Sequence, residues 1–253
     1  MESLQPQNKK RILLVEGPDD YHVVKHICEQ TNPTSKTKLC NVDELNPSEP
    51  ITLKTTSRTR ILSVPRRKTP GKQSLLSEIK VRLKESDIFA LGILIDADND
   101  LNSSWQSITH RLRESKYPDI PEKPNQNGTI ILPPETTPQQ QLYNADHSPS
   151  LLPRVGIWIM PDNQLNGTLE DFLKFLVPEG DPLLPYAEKT LNGLPDTRFT
   201  SPHRPKALMH TWLAWQNEPG KPYGQAISAR YLDTDLPMAK TFANWLRRTF
   251  FDD

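Results

Sequence analysis

Three acidic side chains stand where two short apolar runs end. The run from Arg11 to Asp20 (RILLVEGPDD) stops at Glu16, and the run from Leu91 to Asp100 (LGILIDADND) stops at Asp96 and Asp98. Apolar residues that give way abruptly to carboxylates are the pattern of a buried parallel strand delivering acids to the carboxyl edge of a sheet. In an extended chain, residues two apart share a face, so Asp96 and Asp98 project together from the end of an Ile88 to Ile95 strand. Carboxylates gathered at one place raise one another's pKa unless positive charge joins them. A divalent cation relieves that repulsion. Hard oxygen donors in small number suit Mg²⁺ or Mn²⁺ and leave positions for water and a phosphate oxygen. The chemistry favoured is phosphoryl chemistry.

Further acids lie around this pair. Gly17 lets the backbone turn out of the first strand, and Pro18 has the fixed φ suited to the first position of a helix. Asp19 and Asp20 then fall in a first helical turn, where the helix dipole favours negative charge. Asp20, four residues beyond Glu16, is open to two readings, helix cap or metal ligand. A third apolar run, Val155 to Met160, ends at Asp162, and a helix start at Gly167 puts Glu170 and Asp171 in its first turn. Capping explains those acids. A second metal position completed by Asp162, Glu170 or Asp171, with Glu170 foremost, is the alternative.

The block from Val15 to Asp20 (VEGPDD), followed by an apolar helix and later by Ile95 to Asp98 (IDAD), resembles the two signature motifs of the Toprim domain. That domain is shared by topoisomerases, bacterial primases, a ribosomal-RNA maturation nuclease and nucleases of the overcoming-lysogenization-defect type. The resemblance implies a doubly wound α/β fold in which Glu16 acts in acid/base or metal chemistry and Asp96 and Asp98 bind Mg²⁺. Asp100 extends the acidic run, and Asp20 matches the acid that the nuclease branch often carries after Glu-Gly. Met160 to Leu173 is similar to a block in stand-alone Toprim-like proteins. The likeness covers roughly the first 173 residues.

The elements that must position these acids follow from periodicity. Val23, Val24, Ile27 and Cys28 recur at helical spacing after Asp19. Residues 31–50 form a polar, broken insertion; Ile51 to Thr56 and Arg60 to Val64 have strand character, and one of them is expected to add the second strand of the sheet. A helix is expected from Gln73 to about Glu85, and another around Trp105, Ile108 and Leu112. Residues 117–153, rich in Pro, Gln and Asn, read as a surface excursion with one strand-like island at 129–132. Leu208, Trp212 and Trp215, then Met238, Phe242, Trp245, Leu246 and Phe250, mark two amphipathic helices. These aromatics read as packing groups. The expected architecture is a single α/β, Toprim-like doubly wound domain with a mainly parallel sheet. Its core spans about 10–175, with insertions at 31–50 and 117–153 and a helical C-terminal cap at about 182–253.

Charge separates by segment rather than in sum. Lys plus Arg and Asp plus Glu are 31 each among 253 residues, so net charge argues for no particular partner. Between Lys54 and Lys84, however, ten basic residues face one acid, Glu78. Arg66, Arg67, Lys68 and Lys72 lie in a Pro/Gly loop just before a helix, where they would hold a nucleic-acid backbone near the metal site; a solvated basic surface is the alternative. Gly71-Lys72 lacks the upstream glycine of a phosphate-binding loop. The two cysteines, Cys28 and Cys40, show no metal spacing, and His22 and His26, near the apolar stripe of their helix, read as structural and are assigned no role. No apolar run has the length of a membrane span and no secretory leader is evident, so a cytoplasmic protein is expected.

The function these features imply is Mg²⁺- or Mn²⁺-dependent phosphodiester hydrolysis of nucleic acid. Asp96 and Asp98 would hold the metal, with Glu16 as ligand or general base. Two alternatives stay open: a non-catalytic Toprim-like module that binds nucleotide or nucleic acid, alone or inside a protein complex, and a nucleotidyl or glycosyl transferase using Asp-x-Asp for a nucleotide diphosphate. Topoisomerase activity is disfavoured because no tyrosine is marked as nucleophile, and primase activity because accessory regions are missing.

Overall fold

A computed structural model describes residues 10–30, 41–43, 51–54, 60–64, 71–86, 88–134 and 152–251. Its centre is a four-stranded sheet of β1 (Lys10–Leu14), β5 (Ile88–Asp96), β7 (Arg154–Met160) and β6 (Thr129–Ile131), in the spatial order β1-β5-β7-β6. β1 pairs parallel to β5, β5 parallel to β7, and only the edge strand β6 runs antiparallel. Register places Ile93 beside Leu14 and Ile157, so the longest strand is buried on both sides.

The alternation of side chains splits the core into two layers. Ile12, Leu14, Leu91, Ile93, Ile95, Val155, Ile157 and Ile159 pack with helices α2 (Lys72–Arg82) and α3 (Leu101–Glu114). On the other face, Leu13, Ala90, Leu94, Trp158 and Met160 pack with α1 (Pro18–Gln30), α4 (Leu169–Lys174) and α8 (Pro237–Phe250). The β-branched and leucine-rich strands thus read as continuous apolar runs because both faces are covered. The chain is α/β, with a mostly parallel open sheet between helical layers.

Helix α8 lies against the sheet at two glycines. A Cβ on Gly156 would stand 2.1 Å from Thr249 Oγ1, and one on Gly92 would stand 2.6 Å from the Phe250 ring. Trp158 meets Phe242 edge-on at 5.1 Å and Trp245 at 5.7 Å. The C-terminal segment expected to cap the domain therefore forms one of its layers. Between α4 and α8 the chain adds α5 (Leu183–Asn192), α6 (Arg204–Ala214) and α7 (Tyr223–Ser228), and α7 packs on α1.

Three expectations change. Neither Ile51–Lys54 (β3) nor Arg60–Val64 (β4) enters the central sheet; with Asn41–Asp43 (β2), inside the stretch read as an insertion, they make a separate antiparallel sheet, β2-β3-β4, whose β4 runs beside β1. Helix α2 closes at Arg82, earlier than expected. The excursion after Tyr117 is also partly structural: Thr129 and Ile131 are buried, and β6 closes the edge of β7. Residues 135–151 of that stretch lie outside the described residues. Among the described residues no helix is long and apolar enough to cross a membrane.

Candidate acid and metal site

Strands β1 and β5 end side by side, and their ends are tied together through the acids. The Asp96 backbone N–H donates to Glu16 Oε1 at 2.9 Å, which orients the Glu16 carboxylate across the gap between the strands. Gly71 N–H donates to the Glu16 carbonyl at 3.1 Å, bringing the start of α2 to the same edge. Asp20, buried in the first turn of α1, accepts from Gly17 N–H at 2.8 Å. That bond fits the cap reading, and the side chain also feels the charges of Glu16 and Glu170.

Asp96 is the centre of the group. Burial raises its pKa well above the ordinary value of 3.8, and the charges of Asp20, Glu16, Asp98 and Glu170 raise it further. Burial likewise pushes Asp20 up to about 7, against the lowering effect of the Gly17 N–H, with Glu16 and Glu170 adding to the rise. Five of the acids singled out by the sequence thus feel one another at one edge. Asp96 Oδ1 is buried with no hydrogen-bond partner.

The Asp98 backbone is pinned. It sits at φ 55°, donates its N–H to the Gly167 carbonyl at 2.8 Å, and forms an isolated bridge with that residue. The neighbouring Asn166 side chain accepts from Leu101 N–H at 2.9 Å and donates to the Asn99 carbonyl at 2.8 Å. The loop after β7 therefore clasps the turn carrying Asp98. Asp162 accepts from Gln164 and Leu165 N–H, an anchor inside that loop rather than a member of the acid group. Asp171 accepts from Thr168 N–H at 3.0 Å, a cap for α4. Asp100 accepts from Ser103 N–H at 2.9 Å and caps α3.

Glu170 differs from its neighbours. Thr168 Oγ1 donates to its Oε2 at 2.8 Å, and the buried Tyr223 hydroxyl donates to its Oε1 at 3.3 Å. Burial, followed by the Glu170 charge, raises the pKa of Tyr223 and keeps it a donor. Lys206 Nζ lies 3.9 Å from Glu170 Oε1 and 3.4 Å from Asp19 Oδ2. The sequence singled out neither Tyr223 nor any role for Asn166 and Gly167. Asn-Gly is a turn signal and Gly167 does adopt φ 149°; Tyr223 carries no local signal at all.

Of the basic residues expected to bind phosphate, Lys72 reaches the acids themselves. Its Nζ donates to Asp98 Oδ2 at 2.6 Å and to the Asp96 carbonyl at 2.9 Å. Arg66, Arg67 and Lys68 lie outside the described residues. An open cavity of about 640 Å³ lies elsewhere, along the outer side of α3 between Ser103 and Arg113. Among the described residues no group of three or more His, Cys, Asp or Glu side chains is placed to hold a metal ion. The arrangement offers a carboxylate edge with one lysine bonded into it.

No curated protein and no solved structure matches the chain. A family model described as protein of unknown function (DUF3226) matches residues 10–251, and the chain belongs to that family.

Proposed function

We propose that the protein is a Toprim-like, metal-dependent nuclease that hydrolyses phosphodiester bonds of nucleic acid. The observation that carries this reading is the convergence of Glu16, Asp20, Asp98 and Glu170 on the buried Asp96 at the joined ends of two parallel strands. Ligand sites in open α/β sheets form at this carboxyl edge.

The donors fit a hard divalent cation. They are all carboxylate oxygens, and the orphaned Asp96 Oδ1 is a buried acceptor in need of a positive partner. Mg²⁺ keeps several waters and takes one or two carboxylates plus substrate phosphate, so a complete protein cage is not required of the residues. Asp96 and Asp98 would hold it, with Asp20, Glu170 and Asp100 as further oxygen donors. A bound Mg²⁺ or Mn²⁺ polarises a phosphate oxygen and lowers the pKa of water.

The chain's own groups move the protons. Glu16, fixed by the Asp96 N–H, accepts the proton of the attacking water as its oxygen bonds to phosphorus. Glu16 then passes that proton, through water, to the leaving oxygen as the P–O bond breaks, and Asp20 stays among the oxygen donors. Lys206 and the basic segment before α2 hold the phosphate backbone in this scheme.

A second reading, a Toprim-like module that binds without cutting, is favoured by one observation, the lack of a ready-made ligand group among the described residues. Cleavage of labelled DNA and RNA with Mg²⁺ or Mn²⁺ separates the two. The native protein cuts, while Asp96→Asn and Glu16→Gln lose roughly 10²–10⁴-fold in rate with unchanged circular dichroism. Native protein that binds metal but cuts no member of the panel sinks the nuclease reading and leaves the binding module.

A further inference from the structure

Lys72 is more tightly built into the acid edge than a residue waiting for phosphate would be. Its side chain is 25% exposed, and its ammonium spans two strand-end acceptors, the Asp98 carboxylate at 2.6 Å and the Asp96 carbonyl at 2.9 Å. Asp98 is held from behind by its N–H bond to Gly167, so its carboxylate is presented to Lys72 by a fixed backbone. Lys72 itself is placed by Gly71, the residue just before α2, whose N–H is bonded to the Glu16 carbonyl. The oxygen that Lys72 occupies belongs to one of the two residues best suited to a divalent cation.

We infer that Lys72 is an internal counter-cation that competes with the divalent ion for Asp98, and that it turns to a substrate phosphate when the ion takes that carboxylate. The inference rests on the metal reading above and gives it a regulatory element. Two positive charges cannot share one carboxylate oxygen without repulsion, so the ion and the ammonium exclude each other at Asp98. A lysine stem with three rotatable donors swings a few ångströms without disturbing the backbone. Released, the ammonium stays beside the reaction centre, where the anionic phosphate of a substrate offers it a new partner. Metal and phosphate then assist each other's binding, and the coupling is reciprocal.

The test is calorimetric titration with Mn²⁺ alone, followed by the same titration in the presence of inorganic phosphate, on full-length protein. Lys72→Met removes the competitor, and Mn²⁺ binds about five-fold more tightly, the upper end for a half-exposed ion pair. Lys72→Arg retains the charge and stays near the native affinity. Lys80→Met removes the same unit of charge from α2 at the exposed pair that Lys80 makes with Glu114 of α3, and it leaves Mn²⁺ affinity unchanged. Phosphate tightens Mn²⁺ binding in the native protein and fails to do so in Lys72→Met. Melting curves in chelator confirm that each variant is folded, and Lys72→Gln replaces the methionine variant if that one is not. Equal or weaker Mn²⁺ binding by Lys72→Met overturns the inference and leaves the metal reading standing. Failure of every protein, native included, to bind Mn²⁺ overturns both.

Discussion

Asp96 and Asp20 are held protonated further into the neutral range than free aspartates, and this has a consequence for stability. In the unfolded chain both titrate near 3.8, whereas in the fold Asp20 titrates at about 7 and Asp96 well above its ordinary value, burial being the main cause of each. Between those values the native state binds more protons than the unfolded one, so stability falls as pH rises. The contribution of Asp20 is fully present below about pH 4 and lost as pH passes 7. Melting temperatures in chelator should therefore decline from pH 5 to pH 8, and Asp20→Asn or Asp96→Asn should flatten that decline. Added Mn²⁺ should restore native stability at pH 8 and do little for Asp96→Asn. Tyr223→Phe removes the hydroxyl that donates to Glu170 at 3.3 Å. In the nuclease reading it should lower the cleavage rate about 10–100-fold, as loss of a partner to a metal-binding carboxylate does, while the melting temperature moves little. That Glu16, Asp96 and Asp98 lie where two neighbouring strands end was legible in the sequence, because a strand buried on both faces shows by its apolar run where it stops. Tyr223 and Lys206 were not, since they reach Glu170 from more than thirty residues along the chain through packing that no local pattern encodes.

At the scale of elements, the two glycines under α8 and the one beneath Asp98 decide how closely the parts approach. Gly156→Ala would drive a methyl group into Thr249, a residue buried at the helix–sheet contact. Such overpacking costs about 1–3 kcal/mol, read as a lowered urea midpoint. Gly167→Ala meets two obstacles: φ of 149° and an Asp171 oxygen 2.7 Å from the new Cβ. Its effect should fall on activity as much as on stability, because the Gly167 carbonyl holds the Asp98 N–H. Parallel strands, helices α1 and α3 and the strand at β7 were readable from apolar runs and 3.6-residue spacing. The separate sheet β2-β3-β4 was not, because strand character says nothing about which partner a strand chooses. Nor was the place of β6, a three-residue strand in a Pro- and Asn-rich stretch; only its antiparallel pairing with β7 makes it part of the sheet.

At the scale of the whole molecule, the order of the chain misleads about the order of the layers. The acids and their strands all occur before residue 171, which suggests a core complete by about 175 with helices appended. The side chains say otherwise: Leu13, Leu94 and Trp158 face a layer to which Phe242, Trp245 and Phe250 of α8 belong. A chain ending near residue 181 would expose that face of the sheet, since α4 and α1 alone do not cover β5 and β7, and burial of that apolar surface is what offsets chain entropy. The truncated protein should be recovered insoluble or as an expanded state with helical far-ultraviolet but no near-ultraviolet dichroism. In the full chain, Trp245→Ala should remove about 3–5 kcal/mol, enough to expose the same dependence without shortening the protein. It should also weaken Mn²⁺ binding at temperatures near the midpoint and nowhere else. α8 packs on β5, the strand that ends in Asp96, so the acid edge persists for as long as that layer stays seated. A truncated chain that folds cooperatively and binds Mn²⁺ with native affinity would show instead that the first 181 residues form the site unaided.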